Sequence, residues 1–217
     1  MPGAGFGGRP LLRGVSHQVA FFVSVIVGAA LIAGARAPHA HLAAVVFAVP
    51  IAFMFGVSAL YHRGRWSGRT RPWLRRIDHS AIFLVIGGSY TAYGLIALDG
   101  AWRSTILTLV WAGVVAGIAI RFLWLSAPGW LTVGVAIGLG WISVVVVPQV
   151  LDHVGGVGLA LLVLGGVLYS VGGIVYALRR PDPLPRVFGF HEVFHALVIA
   201  AVACQYASVA FFLLPRA

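Results

Sequence analysis

The 217-residue chain contains no lysine, five acidic residues and one cysteine, and only 9% of its residues are charged. So little charge, set against 60% hydrophobic residues and a mean hydropathy of +0.99, excludes a soluble globule of this size and indicates a single integral membrane domain. The lone Cys204 lies in a late apolar run, which excludes an intramolecular disulfide and a thiolate-rich metal site. No A-x-A cleavage pattern follows the Gly/Pro-rich start, so the first apolar run reads as a retained span. Flexible linkers and low-complexity tracts are absent beyond Pro10, and no inverted repeat of the kind found in secondary transporters is visible.

What charge there is comes almost wholly from arginine, and the formal net charge of +10 raises the question of nucleic acid. The arginines fall in short segments between apolar runs, where membrane orientation explains them and a basic groove does not. Seven windows are long and apolar enough to cross a bilayer: Val15 to Ala35, His41 to His62, Asp78 to Leu98, Ser104 to Leu125, Gly129 to Pro148, Gly155 to Leu178 and Gly189 to Leu214. With the N-terminus inside, the inner segments hold Arg9, Arg13, Arg63, Arg65, Arg69, Arg71, Arg75, Arg76, Arg121, Arg179, Arg180 and Arg186, and the outer ones only Arg36, Arg103 and Arg216. That asymmetry predicts an all-α, seven-transmembrane helix bundle with a cytoplasmic N-terminus and an outer C-terminus. Residues 1–14 form a short cytoplasmic segment and 15–217 the bundle. Glycines four apart, as at Gly113 and Gly117 or Gly134 and Gly138, let helices approach closely, for packing within the bundle or for a dimer face.

Ionisable groups near membrane depth are costly and need partners, so each marks a candidate site. His191-Glu192-Val193-Phe194-His195 puts two imidazoles one helical turn apart on a shared face, able to reach one metal ion. The predicted topology brings His62 at the end of span two, Asp78 at the start of span three, and His191 and His195 at the start of span seven to one cytoplasmic layer. Three imidazoles leave a fourth zinc position open, and zinc lowers the pKa of a bound water to near 7. Asp78 would orient that water and take its proton, and Ser58, one turn from His62, would support the water or the acid. The alternative has His62 and His191 as interfacial residues and Asp78 neutralising Arg75 or Arg76. His17 and Gln205 read as packing or cavity-lining groups, His79 as turned away from the site, and Glu192 as pairing with an arginine such as Arg186. An H-E-x-x-H peptidase would need a further acid, and Asp99 falls on the outer side.

Ser58 with His62, the run Asp78 to Phe83, the run Gly87 to Thr91 and His191 to His195 together resemble the hemolysin III family, which groups with the progestin and adipoQ receptors and, more distantly, the alkaline ceramidases. The resemblance implies a seven-helix bundle with a cytoplasmic-side zinc held by His62, His191 and His195, and Asp78 holding a zinc-bound water. Related members are associated with hydrolysis of lipid amides such as ceramide. Ala92 stands where the family usually has a proline, which removes a kink beside the site without touching a ligand. The expected function is therefore a zinc-dependent hydrolase of membrane lipid amides or esters. The alternatives are a sensor with structural zinc and a pore former.

Overall fold

The computed structural model describes residues 10–124 and 127–217. Arg9, counted with the inner arginines, most of the 1–14 segment, and Leu125, taken as the end of span four, lie outside the described residues. The described residues form helices joined by short connections, with six helices long and apolar enough to cross a membrane. In lipid a backbone satisfies its own hydrogen bonds, and a helix does this within one segment.

The helices are α1 (Val15–Gly34), α2 (Pro38–Arg63), α3 (Thr70–Ala97), α4 (Gly100–Leu123), α5 (Gly129–Trp141), α6 (Val147–Leu178) and α7 (Phe190–Ser208). The chain between α5 and α6 stays helical as a tightened turn, Ile142–Val146, and α6 runs on through Pro148, so the fifth span does not end there. Pro148 sits in the first turn of α6, where its missing N–H costs nothing. The break falls at Gly155, the expected start of the sixth span, whose φ of 71° suits glycine. Contacts on either side run antiparallel: Trp141 Nε1 donates to Ser170 Oγ at 3.0 Å, Val133 and Ile137 face Gly173, and Gly129 faces Tyr176. The segment 129–178 therefore doubles back on itself at Gly155.

Helix α3 also departs from expectation, beginning at Thr70 and not at Asp78. Arg71, Arg75 and Arg76 belong to its first turns, where arginine is a good helix former and Arg76 stacks 4.5 Å over Trp73. Asp78 thereby lies two turns inside the helix and is 9% exposed. The helix continues through Ala92, which is fully buried, without interruption.

Two features lock α2 against α3. Pro50 inside α2 offers no N–H to the Val46 carbonyl, and Gly88 of α3 packs directly over that carbonyl, leaving no room for a Cβ. Other glycines serve the same end: Gly117 faces Phe83, Gly113 faces Leu139, and Gly172 faces Leu197. Gly134 and Gly138 have nothing within 4 Å. Replacing Gly88 by alanine should therefore destabilise the protein by about 1–3 kcal/mol through overpacking, read as a lowered unfolding temperature in detergent. Gly138→Ala, in open space within α5, should leave that temperature unchanged or slightly raised, and an equal loss at both sites would contradict the packing account.

Candidate metal centre

The site is assembled from the ends of three helices. His62 lies in the last turn of α2, Asp78 two turns into α3, and His191 and His195 in the first two turns of α7. The start of α7 is fixed by carboxylates: Asp182 Oδ1 accepts from the Phe190 N–H at 2.8 Å and Glu192 Oε2 from the Gly189 N–H at 2.9 Å. Both also face the positive end of the helix dipole. A helix anchored in this way presents His191 and His195 toward α2.

The two facing imidazole nitrogens, His62 Nε2 and His191 Nε2, are 3.0 Å apart, and ligand atoms of His62, His191 and His195 all lie within 4.8 Å of one another. Two nitrogens bound tetrahedrally to one zinc are about 3.3 Å apart for bond lengths of about 2.0–2.1 Å, so small side-chain shifts would let this trio hold one ion. His195 is 1% exposed and its Nδ1 has no hydrogen-bond partner. A buried imidazole with an unpaired nitrogen beside two others suits a cationic ligand better than it suits packing alone. Asp78 Oδ2 is 3.9 Å from His62 Nε2, too long for a hydrogen bond but close enough to place the carboxyl beside the imidazoles. Asp78 makes no ion pair with Arg75 or Arg76 among the described residues.

Ser58 and His17 complete the cluster. The His17 and Ser58 side chains share a hydrogen bond, Nδ1 to Oγ at 2.8 Å, and the Ser58 hydroxyl also interacts with the Asp78 carboxyl. The His17 ring lies flat on His195, with centroids 3.6 Å apart and planes 6° from parallel. His17, which the sequence suggests only as a packing or cavity-lining group, enters α1 at the same end as the other four, so the layer argument applies to it equally. His79 packs near Tyr176, outside the histidine trio. Asp99 pairs with Arg103 at 3.2 Å at the far end of α3, about 30 Å from Asp78 along the helix.

A model of the family described as "Haemolysin-III related" matches residues 8–206. The chain belongs to the haemolysin III family. It is 30% identical over 167 residues to "Hemolysin-3 homolog" of Bacillus subtilis, covering 77% of this chain and 75% of that one. It is 32% identical over 141 residues to "Hemolysin-3" of Bacillus cereus, covering 65% of this chain and 62% of the relative, so it spans less than two thirds of that protein. No solved structure matches. Six apolar helices and bacterial relatives describe an integral multi-pass membrane protein of the bacterial plasma membrane.

In this haemolysin III chain a cavity of about 240 Å³ leads away from the histidines. On α3 it is lined by Asp78, Ile82, Val85, Ser89 and Tyr93, a stripe at helical spacing that follows the bundle axis. Gln205 of α7 also lines it and keeps a buried Oε1 without a partner, so it is more than a packing group. Glu192, 1% exposed, pairs with an arginine as expected, but the arginine is Arg13, at 2.6 Å. Arg186 instead accepts from the Leu11 N–H through its backbone carbonyl, at 3.0 Å. With the Leu12 N–H donating to the Val187 carbonyl at 3.2 Å, the segment before α1 is tied at three points to α7 and the loop that leads into it. Removing one partner of a buried pair typically costs about 3–5 kcal/mol. Glu192→Ala should lower the unfolding temperature and speed tryptic cleavage after Arg13, whereas an unchanged cleavage rate would contradict the anchoring role.

Proposed function

We propose that the chain is a zinc-dependent hydrolase of acyl lipids, acting on an amide or ester carbonyl at the inner leaflet. In this reading the bundle crosses the membrane seven times, the two arms of 129–178 counting separately, with a cytoplasmic N-terminus and an outer C-terminus. The reversal at Gly155 and the arginine asymmetry support that topology. The observation that carries the function is the meeting of three imidazoles and one carboxyl at the end of a long, mostly apolar cavity. An interfacial or purely packing role for these histidines gives no reason for the cavity to end on them.

His62, His191 and His195 would hold the ion. Bound there, zinc supplies a Lewis acid and makes a water ionisable near neutral pH. The work of this chain's own residues follows from their positions. The apolar part of the cavity wall, Ile82 and Val85 of α3 among it, takes the acyl chain and excludes bulk water from the carbonyl. Asp78 accepts the proton as water adds to the carbonyl carbon, then delivers it to the leaving nitrogen or oxygen as the acyl bond breaks. The products are a fatty acid and the amine or alcohol. Ser58 holds Asp78 on one side and His17 on the other, and His17 in turn braces the His195 ring.

A pore-forming reading draws on one observation, the name "Hemolysin-3" carried by the Bacillus cereus relative. The experiment that separates the readings is fatty-acid release from a panel of amide and ester lipids by purified protein, beside leakage from liposomes. Asp78→Asn should lower release by about 10²–10⁴-fold while the unfolding temperature is kept. No release from any lipid by zinc-loaded protein would refute the hydrolase, and leakage that does not depend on the three histidines would favour the pore.

A further inference from the structure

A second cavity, of about 270 Å³, opens between the first turns of α3 and the end of α4, on the same side as the histidines. Arg71, Arg75, Arg76 and Arg121 line it together with Tyr61, and no carboxylate does among the described residues. The ion pairs of Arg13 with Glu192 and of Arg103 with Asp99 lie elsewhere. Arg121 is 5% exposed and its Nε has no hydrogen-bond partner, although its Nη1 donates to Thr132 Oγ1 at 3.2 Å. Arg76 likewise has a buried Nε without a partner.

Four guanidinium groups lining one small space repel one another, and the burial of Arg121 weakens the screening that the exposed Arg71 and Arg75 receive from water. A topological signal asks only that arginines face water on one side, and so it does not explain a buried one at the end of α4. An anion with several acceptor oxygens does explain it, and phosphate fits the forked donors of arginine best. The ligand is further narrowed by continuity: Arg75 and Arg121 line both this cavity and the apolar one. Tyr61, on the basic side, packs with its ring centroid 4.6 Å from that of His62.

We propose that this site takes an acyl lipid with a phosphate-bearing headgroup, the phosphate lying among Arg71, Arg75, Arg76 and Arg121 and the acyl chain in the adjoining apolar cavity. The assignment narrows the substrate class of the hydrolase and rests on reading the apolar cavity as an acyl-chain site, though not on turnover.

The test is lipid retention by full-length protein in neutral detergent, measured by native mass spectrometry with phosphatidylglycerol, phosphatidic acid and ceramide, and with inorganic phosphate and glycerol 3-phosphate as competitors. Phosphatidylglycerol or phosphatidic acid should be held at least about tenfold more tightly than ceramide. Arg71→Gln, at an exposed position, and Arg121→Gln, checked for folding by its unfolding temperature, should each erase most of that preference with metal content unchanged. Equal retention of neutral and phosphate-bearing lipids would overturn the proposal, as would folded variants that keep the preference. Competition by free phosphate as strong as that of an intact phospholipid would also overturn it, since it would indicate a soluble anion. Selective phospholipid binding without fatty-acid release would refute the hydrolase and leave this assignment intact; release from ceramide without any preference for phosphate would do the reverse.

Discussion

The capping of α7 is the constraint on which the inner end of the molecule depends. Asp182 and Glu192 satisfy the first backbone amides of that helix, and Glu192 simultaneously holds Arg13. A helix begun one residue later would turn its side chains by about 100°, carrying His191 and His195 away from His62. Burial of Glu192 is thus coupled to the geometry of the trio, and Arg13 compensates its charge. The second residue of H-E-x-x-H is here a structural anchor.

Around that anchor polarity is layered along the bundle axis. The imidazoles, Asp78 and Ser58 occupy one end, the arginine-lined space lies beside them, and the cavity toward the far end is walled mainly by aliphatic and aromatic side chains. A lipid has the same order of parts, headgroup, acyl linkage and chain. The match of sequence in space gives the hydrolase reading its force, because a zinc staple between α2 and α7 would need neither cavity.

Much of the site was legible because chemistry in an apolar chain stands out. Five acids and eight histidines among 217 residues leave few candidates, and the arginine asymmetry assigned His62, Asp78, His191 and His195 to one end before any contact was known. What escaped was of another kind. His17 is joined to the cluster by a ring stack and one hydrogen bond across helices, and neither leaves a trace in local spacing. The choice of Arg13 over Arg186 for Glu192 depends on how the segment before α1 folds back over the 179–189 loop. The arginines after Ser67 were read as a loop because charge interrupts hydropathy, yet arginine is a good helix former and α3 extends through them. The fifth window is expected to end at Pro148, yet a proline in a first helical turn is harmless, and the chain stays helical up to Gly155, the expected start of the sixth window, where φ is positive.

The central claim is that helix ends distant in sequence meet to hold one divalent ion through imidazole nitrogens. X-ray absorption at the zinc edge, on protein extracted from membranes without chelator, addresses it directly. The account predicts one zinc per chain with three imidazole nitrogens at about 2.0–2.1 Å and a light-atom fourth neighbour, lost in His62→Ala and His191→Ala. Folded wild-type protein without stoichiometric metal, or a zinc signal unaffected by either substitution, would contradict it.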